Sequence, residues 1–264
     1  MHQITRFKDN SISSEELYHY WRWLVHKYGH RSVTFEEDRL PAIAGLARMI
    51  GEALEDQYLA GLWKGDLIYA LAWFSIGDML SRGLDVHIRN IRERTYVAPS
   101  WSWAACPTVA DVRLPGARVV EESTVVDVDT DTNPKDPYGQ VSGGYLRMRA
   151  KMARMPRWLP NDRRDRWSSK WYHIVEDNEC IQVITDWLHK DKEAGLEILI
   201  LMLLHRIESG EETEGPFLRA LLLHPAGETD LYYRVGVAIS YGHDACRVMR
   251  GWFDQSQEET ICII

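Results

Sequence analysis

Little in this chain of 264 residues announces a chemistry. It contains no GxSxG, no Walker loop, no GxGxxG and no HExxH. Nucleophile-elbow hydrolysis, P-loop phosphoryl transfer, dinucleotide binding and zincin-type proteolysis therefore have no sequence support. Cysteine is sparse: Cys106, Cys180, Cys246 and Cys262, with no pair close enough to read as CxxC. A zinc ribbon or a thioredoxin-like site is excluded on that spacing. Positive charge is outweighed, 31 Lys and Arg against 39 Asp and Glu, for a net charge of −8. General affinity for a nucleic-acid backbone is not expected of such a chain. The longest apolar run, LEILILMLL at Leu196–Leu204, has Glu197 inside it and is too short to span a bilayer. It reads as a buried strand, with a buried helix as the lesser option. The opening MHQITRFKDNS has no apolar signal core. Reduced thiols and a cytoplasmic location are the expectation.

What the chain does have is tryptophan, 11 residues of it against 5 phenylalanines. Each indole buries roughly 150–250 Å². So large an aromatic inventory either fills a thick core or walls a cavity for an apolar guest.

The first hundred residues carry helical spacing. Ser13 and Glu16 form a capping-box pattern ahead of Leu17, Trp21, Leu24, Val25 and Tyr28, and Gly29 is a stop signal. Thr34 and Glu37 repeat the capping pattern, and Pro41 suits a first helical turn. Leu40, Ile43, Ala44, Ala47, Ile50 and Leu54 mark that second helix's inner face. A third helical stretch is expected over Leu62–Phe74, and Leu80–Arg94 reads as a loop. After Pro99 the pattern changes to strands: Arg118–Thr130, Gly143–Met155, Cys180–Thr185, Leu196–His205, Phe217–His224, Tyr232–Ser240 and the tail Glu259–Ile264. Asp131–Gly144 is dense in turn formers. Helices first and strands after predict an α+β fold, with an N-terminal helical layer packed on a mainly antiparallel sheet or partly closed barrel. One domain over 1–264 is expected, helical to about residue 95 and β-rich from about 96.

The stretch APSWSWAAC (Ala98–Cys106) stands at the junction. Pro99 biases Ala98 toward extended geometry, so the segment reads as a strand. Trp101 and Trp103 would then share one face, with Ser100 and Ser102 on the other.

Three stretches in order resemble fungal heterokaryon-incompatibility (HET) proteins. They are RSVTFEEDRLPAIAGLA (Arg31–Ala47), YLAGLWKGDLIYALAW (Tyr58–Trp73) and YVAPSWSWAAC (Tyr96–Cys106). They are similar to the region that follows the family's N-terminal HET domain, and FLRALLLHP, YYRVGVAI and ETICII look like its closing strands. The chain starts some thirty residues before the first of these, without a stretch matching the HET domain itself. The resemblance implies a fungal source, an α+β fold and no cofactor, and it implies no reaction.

Other charged or ligating residues have bland readings. Asp38–Arg39 reads as an ion pair at a helix start. His26 and His30 are four apart, yet Gly29 intervenes and no third metal ligand is evident, so no metal is expected. His205 and His224 read as polar residues at the ends of two strands, with a functional pair close in space as the lesser reading. RWLPNDRRDRW (Arg157–Trp167) interleaves arginines with two tryptophans, but Asp162 and Asp165 dilute the charge, and a solvated loop is expected.

The tryptophans carry the sharper expectation. Trp63, Trp73, Trp101 and Trp103 would wall a pocket for an apolar small metabolite. Tyr58, Ser100, Ser102 and Arg39 would supply its polar groups. Such a site can serve binding alone, or a cofactor-free cyclisation or cycloaddition in secondary metabolism by confining a flexible substrate. The alternative is a non-catalytic module of the HET type that recognises another protein.

Overall fold

The computed structural model describes residues 12–29, 31, 33–75, 96–106, 110–111, 119–155, 171–177, 179–186, 199–208, 215–227 and 230–264. The loop expected over Leu80–Arg94, His30, and nearly all of the connection Arg157–Trp171 lie outside them.

The chain is α+β, as its pattern predicts. Helix α1 (Ser14–Gly29) opens on a reciprocal capping box. The Ser13 backbone N–H donates to Glu16 Oε2 at 2.9 Å, and the Glu16 N–H donates to Ser13 Oγ at 3.2 Å. Leu17, Trp21 and Val25 form its buried stripe. The second capping pattern does not act as expected. Thr34 is followed by a 3₁₀ turn at Glu36–Asp38 with Phe35 at its N-cap and no side-chain cap. Pro41 begins a second 3₁₀ turn, Pro41–Ile43, which runs into α2 (Ala44–Leu54). On that stretch Leu40, Ile43, Ala47, Ile50 and Leu54 are buried, whereas Ala44 is only half-buried.

The third helix is much shorter than its apolar content suggests. Tyr58–Trp63 is a small hairpin, β1 (Tyr58–Leu59) and β2 (Leu62–Trp63). Its central residues Ala60 and Gly61 have φ of 47° and 97°, the positive values that a two-residue turn of this twist requires. A 3₁₀ turn (Lys64–Asp66) and one helical turn, α3 (Leu67–Ala70), follow. Strand β3 (Phe74–Ser75) then pairs with β4 (Ala110–Asp111).

The main sheet has nine strands. In chain order they are β5 (Val119–Glu121), β6 (Ser123–Asn133), β7 (Asp136–Arg154), β8 (Trp171–Glu176), β9 (Glu179–Thr185), β10 (Ile200–Ile207), β11 (Phe217–Pro225), β12 (Leu231–Tyr241) and β13 (Glu258–Ile263). Pairing runs β10–β7–β13–β12–β11 and returns to β10, so the sheet closes partly into a ring. The β12–β13 ladder is parallel and the other described ladders are antiparallel. Helix α4 (His243–Gly251), which the sequence reading lacks, lies between β12 and β13.

Two corrections concern the turn formers and one pair of histidines. Most of Asp131–Gly144 is strand, because β6 and β7 turn about Pro134–Lys135 alone. Gly144 answers to packing: a Cβ there would lie 2.9 Å from Pro99 Cγ and 3.0 Å from the Asp129 carbonyl. His205 pairs with Arg219 and His224 with Tyr233, which puts the two histidines at opposite ends of β11.

The sheet is buried on both faces. Leu201 and Leu203 of β10 point into a core that α4 covers, with Met249 and Phe253. Met202 and Leu204 point into a larger core shared with α1, α2, α3 and the tryptophans. A strand covered on both sides has no reason to alternate, which explains the unbroken apolar run there.

Candidate functional site

APSWSWAAC is a turn, not a strand. The Ser102 N–H donates to the Pro99 carbonyl at 2.9 Å, and Trp103–Ala105 is a 3₁₀ turn. Ser102 Oγ caps it by accepting from the Ala104 N–H at 3.0 Å, and donates to the Ala60 carbonyl at 2.5 Å. Trp101 and Trp103 therefore share no strand face. They are buried because the turn is tied to the hairpin and to α3's flank.

Those ties join the three stretches that carry the resemblance. The indole N–H groups of Trp21 and Trp103 both donate to the Gly61 carbonyl, at 2.9 and 2.8 Å. The Trp73 indole donates to the Trp101 carbonyl at 2.9 Å. Arg39 donates to the Ala104 carbonyl at 2.9 Å, and its carboxylate neighbour is Glu36 at 3.6 Å. Ser100 Oγ accepts from the Arg234 backbone N–H at 2.9 Å and donates to the Ile264 carbonyl.

The rings fill their own space. Trp63 meets Trp21, Tyr58 and Tyr138 with centroids 5.8, 5.1 and 6.4 Å apart, and Tyr28 meets Trp103 edge-on at 6.0 Å. A Cβ on Gly61 would lie 2.5 Å from Trp103 Nε1. Trp63, Trp73, Trp101, Trp103, Tyr58, Ser100, Ser102 and Arg39 are each at most 8 % exposed. The fold brings all of them into one interior, and each is packed or hydrogen-bonded to protein. Burial pushes the Tyr58 hydroxyl's pKa up, further raised by nearby Tyr138.

No family model, no curated protein and no solved structure matches the chain.

Open space lies beside this interior. A cleft of about 330 Å³ separates the Lys64–Ile68 segment from the outer edge of β6. Its lining is mostly polar, from Lys64, Glu121, Thr124 and Asp127, with smaller apolar contributions from Leu67, Ile68, Val125, Val126 and Val128. Its inner wall is thus part of Tyr58–Trp73, one of the resembling stretches. The sequence reading placed the site on the indoles next to this wall and missed the wall itself.

A chain of buried polar groups stands behind the same wall. Asp66 pairs with Arg22 at 2.5 Å, and the Arg22 guanidinium lies over the Tyr69 ring at 4.1 Å. Tyr69 stacks on His205, with centroids 5.8 Å apart and planes within 7°. Burial pushes the Asp66 carboxyl up to about 6, against the pull of Arg22. Burial and then the charge of Arg219 hold His205 down to about 3. His205 Nδ1 lies 3.1 Å from the Ile68 carbonyl, which can only accept, so this nitrogen carries the proton of the neutral ring.

A pH dependence follows for His205. Its folded-state pKa is depressed below the ordinary value of 6.5. The stability it contributes is complete above pH 6.5 and is lost as pH falls toward 3. At two units below the unfolded value the loss is about 3 kcal/mol. Urea denaturation of the wild type and of His205→Gln at a series of pH values checks this. The gap between them should shift by that amount on acidification; a constant gap contradicts it. The comparison removes Asp66, whose raised pKa works in the opposite direction.

Among the described residues, no group of three or more His, Cys, Asp and Glu is placed to hold a metal ion. No described helix is long and apolar enough to cross a membrane.

Proposed function

We propose that the chain is the body of a fungal HET-like protein that binds a small amphipathic metabolite, and that the ligand seats in the cleft between Lys64–Ile68 and β6. What carries this reading is the position of the cleft. It sets aliphatic side chains among a mostly polar lining, and it is braced from behind by closely packed indoles. Small-molecule sites combine those two kinds of surface on a rigid support. The apolar body of the ligand lies against Leu67, Ile68, Val125 and Val128, and a polar group meets Lys64 or Thr124. Confinement of a flexible substrate in such a cleft is also the cofactor-free chemistry open to this protein. The indoles then act as support for the site and not as its lining.

Anilinonaphthalene sulfonate, an amphipathic dye, tests the placement. We expect saturable blue-shifted fluorescence that Thr124→Trp, which fills the cleft from an exposed strand position, weakens by about tenfold or more. Undiminished binding by that variant removes the cleft as the site.

One observation favours the second reading, recognition of another protein. Trp23 on α1 is 40 % exposed and stacks on Tyr20 at 5.7 Å, with the Lys27 ammonium 5.9 Å from the centroid of the Trp23 ring. Exposed Trp and Tyr are common anchors of protein interfaces. A dye site insensitive to Thr124→Trp would leave this surface as the better-supported one.

A further inference from the structure

Helix α2, AGLARMIGEAL, has two charged residues, Arg48 and Glu52. Its inner face buries Ala47, Ile50, Gly51 and Leu54 in the core. The opposite face is apolar as well. Leu46 and Met49 are 43 % and 42 % exposed, and exposed Gly45 and half-buried Ala53 continue the stripe at helical spacing. The other two long helices behave differently. Helix α4 exposes His243, Asp244 and Arg247, and α1 exposes Glu15, Glu16, His19 and Lys27 besides Trp23. A helix that is apolar on both sides is ordinarily covered on both sides, and the outer side of α2 is open.

Gly45 points the same way. Glycine within a helix is destabilising relative to alanine, and nothing in the fold requires it here, since a Cβ on Gly45 would meet no atom within 4 Å. The missing side chain lowers the surface for a closely approaching neighbour.

The two charges select that neighbour. Arg48 and Glu52 lie one turn apart on one flank of the face. Arg48 does not pair with Glu52 but with Asp136 at 3.2 Å, its side chain 52 % exposed. Glu52 is exposed, and it has no ion-pair partner among the described residues. Positions 48 and 52 are symmetric about position 50. When a second α2 packs antiparallel across a two-fold axis at that level, each Arg48 faces Glu52 of the second copy. Leu46 then lies over Ala53 of the second copy, and the two Met49 side chains meet beside the axis. The face is self-complementary in shape and in charge, which is what an isologous contact demands.

We propose that the outer face of α2 is a dimer contact with a second copy of this chain, the two helices antiparallel and linked by reciprocal Arg48–Glu52 pairs. A helix of 11 residues offers a small contact. Such a contact lies below about 1,200 Å² in total, so the dimer is weak, with a Kd of about 10–100 µM. None of its residues lines the cleft beside β6, and it stands independently of the ligand proposed there.

Sedimentation velocity of the full chain, from about 5 to about 500 µM, tests it. The wild type should pass from monomer to dimer across that range. Leu46→Asp places a charge in the apolar stripe and should raise the Kd about tenfold or more. Val175→Asp, at a 53 % exposed apolar position on β8, should leave it unchanged. Arg48→Glu and Glu52→Arg should each abolish self-association, because like charges then face each other. Mixed in equal amounts, these two variants should form a heterodimer about as tight as the wild-type dimer, because opposite charges face each other again. The Arg48–Asp136 pair is exposed and contributes little to stability, so both variants remain folded, which an unchanged urea midpoint verifies. The mixing result also decides the matter if Leu46→Asp does not fold. A chain that stays monomeric to about 500 µM, as it would if the face served a different protein, overturns the proposal. So does equal association of Leu46→Asp and wild type, or a mixture of the two charge variants that stays monomeric.

Discussion

Asp186→Ala is expected to cost about 3–5 kcal/mol of stability, more than any surface change in this chain. The Arg234 side chain is 0 % exposed and Asp186 is 2 % exposed. The Arg234 guanidinium donates to Asp186 Oδ2 and to the Trp73 carbonyl, and it lies over the Trp73 ring at 3.3 Å. Removing the acid leaves a cation inside the protein with its countercharge gone. The cost is that of the stranded charge, because a buried pair itself gains little over apolar residues of the same size. Replacing both partners, Arg234→Met with Asp186→Leu, should therefore cost less than Asp186→Ala alone. Urea denaturation of the three proteins checks the order. A single variant within 1 kcal/mol of wild type, or a double variant worse than the single, contradicts this account of Arg234.

Trp63→Ala is the second large effect, about 3–5 kcal/mol. The ring is 0 % exposed and touches Trp21, Tyr58 and Tyr138. Truncation deletes the transfer energy of an indole and leaves a hole that cannot collapse easily. Its neighbours are fixed: the Trp21 N–H is held by Gly61, and the tip of the Tyr138 side chain would meet a Cβ on Gly51 at 2.3 Å. A ring that only lined a ligand space would cost distinctly less, because the space beside it would already be empty. Chemical denaturation separates the two. A loss near 1 kcal/mol would return the indoles to the status of pocket wall.

The sequence patterns served best where one local signal decides the structure. The Ser13–Glu16 capping box is such a signal, and it forms as read. The β-branched and alternating runs became β9, β11 and β12 to within a residue or so, whereas the single strand expected over Arg118–Thr130 is divided into β5 and β6, which pair with different neighbours. Failures came where two signals compete. Leu62–Phe74 places apolar residues at helical spacing, but Lys64-Gly65-Asp66 breaks the helix into a 3₁₀ turn, and only Gly61 between Leu59 and Leu62 hints at the tight hairpin before it. Pro99 biases its predecessor toward extended geometry but does not commit the residues after it, and Ser102 turned the chain by capping a 3₁₀ turn. The glycines of Asp131–Gly144 suggest turns, yet Gly144 is there so that Pro99 can approach the strand. Helix α4 buries Ala245, Cys246 and Met249, with Val248 packed beside them, in a stretch of nine residues too short to stand out among its charges.

The eight site residues came together because large aromatic side chains and short polar ones are what a buried junction needs. Their chemistry at the junction is structural in the first instance. The cleft was not legible at all. Its walls come from Lys64–Ile68 and from Thr124–Val128, and no spacing rule connects segments so far apart in the chain. The same holds for Arg22 with Asp66 and for Arg234 with Asp186, partners 44 and 48 residues apart. A charged residue on an otherwise inward helix face, such as Arg22 beside Trp21, was the one hint available.

The account rests on a filled aromatic interior with the ligand outside it. Indole resonances of nitrogen-labelled tryptophan, followed in heavy water and then with saturating anilinonaphthalene sulfonate, test this directly. The Trp21, Trp73 and Trp103 N–H groups, bound to the Gly61 and Trp101 carbonyls, should exchange slowly and stay in place while the Val125 and Val128 methyls shift. Rapid exchange of those three indoles, or their displacement by the dye with the valine methyls unmoved, would contradict it.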